Sequence, residues 1–372
     1  MKLCIIANPG SPHTRRWISH FANRGFEIHL IGYTPLPRPP QKNVTFYNLA
    51  EMINIRKARF ALWGYKTRRL IQEIQPDILH IHGIAGYGWL GAAANFHPFL
   101  VTVHGSDVLL LHKRSWLHRK LSLWTLRKAD YITCVSAHLA RQVRKLGVTG
   151  KPLEVAYLGV DTAIFHPADN LERLRLQLHC EPGKIVLSLR AVRDIYNPLD
   201  IAESIPLVLE RVPSARFVIF TYNADPELLA RFKATVEKHR AAGAVRYVNA
   251  LSNDREIAAY YQIADVALSL ASSDGTPKSV QEAMACGAVP VLGDLPTLHE
   301  WVTHEKEGLY ADIGDIRGIA NAITRLLKDD DLRNRIQKNA VGKIRHKANQ
   351  EQCLQRYENI YTKLASSTAN NN

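Results

Sequence analysis

Short apolar runs alternate with longer amphipathic stretches along almost the whole chain. The first set is Lys2–Ala7, Glu27–Ile31, Asp77–Ile81, Phe99–His104, Tyr131–Val135 and Leu153–Tyr157. The pattern restarts after residue 180 with Lys184–Leu189, Arg216–Phe220, Val245–Asn249, Asp265–Leu270, Ala288–Leu292 and Gly308–Tyr310. Runs of this length, each followed by a helical segment, predict mostly parallel sheets covered by helices on both faces. A chain of 372 residues is long enough for two such cores. The expected fold class is therefore α/β, with two doubly wound parallel sheets in tandem. Two closing helices are expected at about 330–346 and 350–365, the second with Leu354, Tyr357, Ile360, Tyr361 and Leu364 at helical spacing.

Composition changes this picture little, but charge does. Hydrophobic content of 46% and charged content of 22% are ordinary for a globular protein. Residues 1–160 hold 22 Lys and Arg against 7 Asp and Glu, whereas residues 161–372 hold 26 against 27. The whole basic excess thus belongs to the N-terminal half. It gathers at Arg56, Lys57, Arg59, Lys66, Arg68 and Arg69, and again at Lys113, Arg114, Arg119, Lys120, Arg127 and Lys128. Phe60, Trp63, Tyr65, Trp116, Leu117 and Trp124 interleave with these cations. Basic amphipathic helices with boundary aromatics suit an anionic membrane surface or a lipid-linked acceptor; a solvated face over a soluble core is the plainer alternative. No nucleic-acid-binding motif accompanies the charge, so nucleic acid is not an expected partner.

Residues 84–103 lack Asp, Glu, Lys and Arg, but Asn95, His97, Pro98 and several glycines interrupt them, so they read as a helix and a buried strand rather than a membrane span. MKLCIIANPG reads as a first strand rather than a signal peptide. Five dispersed cysteines, without paired or metal-binding spacing, suit reduced thiols in the cytoplasm, with peripheral membrane attachment as an extension of the basic-face reading.

The chemistry is concentrated in Ser272–Pro290, SSDGTPKSVQEAMACGAVP. An apolar run precedes it, a helical segment ends at Gly287, and another apolar run follows. Asp274 lies on the turn before the helix, and Glu282 lies two turns along it. Two carboxylates so placed can reach two ends of one elongated polyhydroxy ligand. The helix N-terminus between them points N–H groups at any phosphate lying there. That combination suggests a nucleotide-sugar.

These residues resemble the signature of the retaining glycosyltransferases with the two-Rossmann GT-B fold, the large family 4 or group 1 type. Its hallmark is an acidic residue, seven others and a glutamate, followed here by Ala283-Met284-Ala285-Cys286-Gly287-Ala288-Val289-Pro290. The first acid is Asp274 where Glu is commoner, and Pro277 stands where Gly is common. The resemblance implies two Rossmann-like domains facing a cleft. Residues 1–165 would form the acceptor-binding domain, with the last helix returning to it, and 166–349 the nucleotide-sugar domain. It also implies that Glu282 accepts from ribose hydroxyls and that Asp274 holds donor-sugar hydroxyls, with Gly275, Thr276 and Pro277 passing beneath the ligand. Lys278 would add charge there. Arg190 matches the family's phosphate-binding arginine. The lysine expected six residues later is replaced by Tyr196, leaving Arg193 as the substitute. The Asn249–Ser252 turn would receive the base. In the first half, His104-Gly105-Ser106-Asp107 resembles the family's His-Gly-x-Asp turn, which makes His104 a donor-sugar contact and Asp107 a further binding residue. Gly10 permits close backbone approach, and Arg15 and Arg16 suit an acidic or phosphorylated acceptor. His80 and His82 read as core or cleft lining, since no other metal-ligating residues accompany them.

The expected activity is metal-independent, cofactor-free transfer of a hexosyl-type group from a nucleotide-diphosphate sugar, UDP-sugar favoured. The acceptor would be a hydroxyl on a sugar, a lipid-linked glycan or a metabolite, as in polysaccharide or glycoconjugate synthesis. The catalytic residues would be His104, Asp274 and Arg190. A catalytically weak nucleotide-sugar-binding subunit, prompted by Asp274, Pro277 and Tyr196, and a GT-B epimerase are the alternatives.

Overall fold

The computed structural model describes residues 1–37, 39–52, 59–111, 114–168, 171–249, 251 and 253–369. They divide into two compact units: Met1–Leu158 together with the chain from Glu351, and Gly159–Gln350. The first unit is built on a sheet of β1 (Lys2–Ile6), β2 (Glu27–Gly32), β3 (Val44–Asn48), β4 (Ile78–His82), β5 (Phe99–Val103), β6 (Tyr131–Cys134) and β7 (Leu153–Val155). Its order is β3-β2-β1-β4-β5-β6-β7, and every pairing is parallel. The second unit repeats the plan with β8 (Ile185–Ser188), β9 (Arg216–Phe220), β10 (Val245–Val248), β11 (Val266–Ser269), β12 (Val289–Gly293) and β13 (Leu309–Ala311). Their order is β10-β9-β8-β11-β12-β13, again parallel throughout.

In both units the chain winds outward in one direction and then returns to extend the sheet in the other. The reversal falls between β1 and β4 in the first unit and between β8 and β11 in the second. Helices leave opposite faces at that point, so the loops beyond the strand ends part and leave room for a ligand. β1, β4, β5, β6, β8, β11 and β12 are buried nearly throughout, which is why they read as unbroken apolar runs. β3 departs from the sequence reading, which placed no strand there. It is an edge strand with Thr45 exposed and Phe46 and Tyr47 half-buried, so its side chains form no continuous apolar run. Several runs also extend one residue past the ladder. Val135 and Leu189 lie outside the strands yet still donate to Val103 and Leu268 carbonyls at 3.2 and 3.1 Å.

The helix Pro12–Asn23 buries Thr14, Trp17, Ile18, Phe21 and Ala22, a single apolar stripe against the first sheet. The final helix, Gln350–Ala369, lays Leu354, Tyr357, Ile360, Tyr361 and Leu364 into that same core. Its polar atoms there are paired in series. The Trp17 indole N–H donates to the Tyr361 hydroxyl at 3.1 Å, and that hydroxyl is hydrogen-bonded to His80 Nδ1 at 2.7 Å. His80 Nε2 is bonded to Thr102 Oγ1, and Thr102 Oγ1 to Thr133 Oγ1, each at 2.7 Å. His80 is thereby a structural residue with both ring nitrogens paired.

Candidate active site

In the second unit the reversal point is occupied by residues that the sequence singled out. Arg190 leaves the end of β8 and turns toward β11, where its Nε donates to Ser269 Oγ at 3.3 Å. Its Nη2 pairs with the Asp274 carboxylate. The two side chains are only 17% and 15% exposed, so each screens the other's charge in a largely dry setting. The guanidinium also lies over the Tyr196 ring, 5.1 Å from its centroid. Tyr196, noted in the sequence only as a missing lysine, thus supports Arg190.

Three further residues hold this arrangement, and the sequence assigned a role to none of them. Thr297 Oγ1 donates to the Asp274 carbonyl at 2.8 Å. Asn197, in the left-handed region at φ 46°, donates from its amide to the Leu270 carbonyl and Ser272 Oγ, both at 2.7 Å. Ser272 N–H returns a bond to the Ile195 carbonyl at 2.8 Å. The loops after β8 and β11 are therefore laced together around the Arg190–Asp274 pair.

The helix Lys278–Cys286 begins four residues after Asp274. Pro277 precedes it with no side-chain cap, and no acid lies in its first turn, so its positive end is left for an external acceptor. Thr276 contributes its carbonyl to Lys278 N–H at 2.8 Å, and Gly275 and Pro277 are buried beneath this turn. Lys278 and Glu282 lie one helical turn apart on the same face, 8% and 6% exposed. Lys278 is thus not a solvated surface lysine. Burial pushes the Cys286 thiol up, and the Glu282 carboxylate adds to that shift. Gly287 ends the helix at φ 96°, where it is the left-handed cap, and a Cβ there would come within 2.6 Å of Gln337 Nε2. The glycine of the motif therefore ends the helix just before β12 begins.

Arg193 lies elsewhere. Its Nε donates to the Asn223 carbonyl at 2.9 Å, and it lines a cavity of about 570 Å³ with Asp194, Ile195, Ala224, Asp225 and Pro226. The structure does not bring it into the Arg190 pair. Of the turn Asn249–Ser252, positions 250 and 252 lie outside the described residues. So do Arg56, Lys57, Lys113 and the side chain of Arg59.

In the first unit, Asp107 engages both carboxylate oxygens. Oδ1 accepts from Gly105 N–H at 2.8 Å and Oδ2 from Ile84 N–H at 3.0 Å, which fastens the loop after β4 to the loop after β5. Gly105 sits at φ 145°, a conformation that side chains rarely adopt. These bonds set the position of His104, half-buried at the end of β5. Burial lowers its pKa, and the Asp107 carboxylate opposes that shift. On the β1 side, Gly10 N–H donates to Asn8 Oδ1 at 3.0 Å, and the helix Pro12–Asn23 opens with no side-chain cap. Arg15 is exposed and Arg16 half-buried in its first turn. Among the described residues, no cluster of three His, Cys, Asp or Glu could hold a metal ion. Among them, too, no helix is long and apolar enough to cross a membrane.

Two parallel α/β sheets with such switch-point loops define a GT-B glycosyltransferase fold, and known proteins agree. The sucrose-phosphate synthase of Thermosynechococcus elongatus superposes with a TM-score of 0.83 at 17% identity, over 99% of this chain and 100% of that one. Anabaena HepE, solved with UDP and glucose, gives 0.80 at 14% identity, over 98% and 100%. At these identities the likeness is one of fold. In sequence, the chain is 23% identical over 358 residues to N-acetyl-alpha-D-glucosaminyl L-malate synthase of Bacillus anthracis, 91% of this chain and 90% of that protein. It is 26% identical over 283 residues to the GDP-mannose-dependent alpha-(1-6)-phosphatidylinositol monomannoside mannosyltransferase of Mycobacterium tuberculosis, 72% and 70%. Residues 2–136 match the glycosyl transferase 4-like model and residues 175–343 the model of glycosyl transferases group 1. The chain belongs to the group 1, family 4-type glycosyltransferases.

Proposed function

We propose that the chain moves a sugar from a nucleotide-diphosphate sugar, a UDP-sugar by preference, to an acceptor hydroxyl with retention of anomeric configuration and without a metal. The observation that carries this reading is the Arg190–Asp274 pair, set beside an uncapped helix N-terminus with Glu282 buried one turn along. In this reading Glu282 accepts from the ribose hydroxyls. The diphosphate lies at the N-terminus of the helix Lys278–Cys286, with Arg190 neutralising the charge that develops as the sugar–phosphate bond breaks. Asp274 holds hydroxyls of the donor sugar, and His104 is a sugar contact of the first unit. The acceptor oxygen bonds to the anomeric carbon on the face that the nucleoside diphosphate leaves, and its proton passes to the departing phosphate oxygen. No carboxylate serves as nucleophile.

Arg15 and Arg16, in the first turn of an uncapped helix, favour an acceptor that carries a carboxylate or phosphate. The names of two relatives, an N-acetyl-alpha-D-glucosaminyl L-malate synthase and a phosphatidylinositol monomannoside mannosyltransferase, are in keeping with that. The test is thermal shift and donor hydrolysis against UDP-, GDP- and ADP-sugars, with Glu282→Ala as control. One donor class should stabilise the protein, with at least a tenfold loss of affinity in the variant. No response to any donor would favour a protein that binds something else.

We also propose that the first unit docks on anionic membrane. The helices Arg59–Ile74 and Trp116–Lys128 both pack on the helix Tyr87–Ala94, and they expose Phe60, Tyr65, Trp116 and Leu117 beside Arg68, Arg69, Arg119 and Lys120. Lys120 Nζ lies 4.9 Å from the Trp116 ring centroid, an aromatic and cation paired at the surface. Sedimentation with phosphatidylglycerol vesicles at low salt should capture the protein, and Trp116→Ala with Leu117→Ala should reduce that several-fold. Equal recovery with neutral and anionic vesicles would overturn the proposal.

A further inference from the structure

His82 closes β4 at the reversal point of the first unit. It is 9% exposed, yet both ring nitrogens are buried without a hydrogen-bond partner. Two desolvated, unpaired nitrogens on one ring work against folding, so packing alone does not account for a histidine here. His80, two residues earlier on the same strand face, shows the contrast, since both of its nitrogens are bonded. His82 lies edge-on to Trp17, with centroids 5.0 Å apart, and its ring is 5.1 Å from that of His104. His104 Nε2 is likewise buried without a partner.

The chemistry of the pair narrows what it can bind. Burial holds both rings neutral, and the neighbouring histidines His80, His104 and His13 further disfavour a charge on His82. A neutral imidazole offers one N–H donor and one lone-pair acceptor. Hydroxyl groups, each both donor and acceptor, can complete the two. A phosphate or carboxylate, with no proton to give, would leave the acceptor nitrogen unanswered.

From this geometry we infer that His82 and His104 form a hydroxyl-reading subsite at the ends of β4 and β5, and that His82 is a direct sugar-binding residue. The inference rests on the glycosyltransfer reading and adds to it a residue that the sequence assigned to mere lining. It commits to a neutral polyhydroxy group, whether that group belongs to the donor sugar or to a sugar acceptor.

Calorimetry on wild type, His82→Leu and His82→Gln tests it with three probes: the stabilising nucleotide-sugar, its nucleoside diphosphate, and the free monosaccharide added to the diphosphate complex. His82→Leu should bind a sugar-bearing probe at least tenfold more weakly and the diphosphate alone unchanged, while His82→Gln, which keeps a donor and an acceptor, should recover most of the loss. Weakening of the nucleotide-sugar identifies the donor's hydroxyls. Weakening of the monosaccharide alone identifies an acceptor's. His82→Leu should also melt no lower than wild type, because it removes unpaired polar atoms from a buried position. Unchanged binding of every sugar probe by His82→Leu would overturn the inference alone. Failure of wild type to bind any probe would overturn the glycosyltransfer reading and this inference with it.

Discussion

Arg190→Ala is expected to lower turnover of the nucleotide-sugar by about 100- to 1,000-fold, the loss typical when a preorganised charge-stabilising group is removed from a reacting centre. It should also cost stability, by about 2–4 kcal/mol, because it leaves a largely buried carboxylate without its counter-charge. Asp274 cannot simply turn to water, since its carbonyl is held by Thr297 and its loop is laced to the preceding one through Asn197 and Ser272. The two consequences separate in a double variant. Arg190→Ala with Asp274→Asn removes both charges, so it should regain most of the stability and none of the activity. Urea unfolding and donor turnover on these two variants, Asp274→Asn alone and wild type complete the cycle. Full turnover in Arg190→Ala would remove this arginine from the mechanism. Equal stability of Arg190→Ala and the double variant would mean that the unpaired Asp274 carboxylate carries no penalty.

The repeated parallel architecture was legible because a strand covered on both faces has to be apolar along its whole length. β3 was not, for the converse reason: at the sheet edge, Thr45 faces solvent and Phe46 and Tyr47 are half-covered. Strand ends were overread by a residue where burial outlasts the ladder, as at Val135 and Leu189. The loops that begin there carry the candidate site. Asp274 and Glu282 were visible because charged residues interrupt an apolar context at recognisable spacing, and Arg190 because its place after β8 resembles the family's signature. Tyr196 was seen as a lysine's replacement, but its ring against Arg190 was not. Ser269 and Thr297 were not visible, because each works through one contact made only when separate chain segments meet, and Ser or Thr has many other uses. The pair His80 and His82 shows the limit most plainly. The two residues share a strand face and one intervening isoleucine, and the sequence gives them the same reading. Only the three-dimensional arrangement separates a ring with both nitrogens paired by Tyr361 and Thr102 from a ring with neither paired.

Tyr361→Phe is expected to destabilise the first unit by about 2–5 kcal/mol, although it removes a single oxygen. That hydroxyl accepts from Trp17 and is hydrogen-bonded to His80 Nδ1, so its loss leaves two buried polar atoms unpaired at about 1–3 kcal/mol each. The final helix would keep its apolar contacts through Leu354, Tyr357, Ile360 and Leu364, so the fold should survive with a lower urea midpoint, read by fluorescence. The same network makes stability depend on pH. Burial holds His80 well below its usual pKa, so it is neutral in the folded chain. The unfolded chain binds a proton there below about pH 6.5. Acid therefore favours unfolding: the stabilisation is complete above about pH 6.5 and is lost as pH falls, at up to about 1.4 kcal/mol per pH unit for each such histidine. His82 and His104 shift in the same direction for the same reason. The urea midpoint should accordingly fall between pH 7.5 and 5.5, and His80→Leu, though less stable at pH 7.5, should show a shallower fall. A pH-independent midpoint across that range would mean that these histidines reach water, and would remove the neutral network from the account of how the last helix is held.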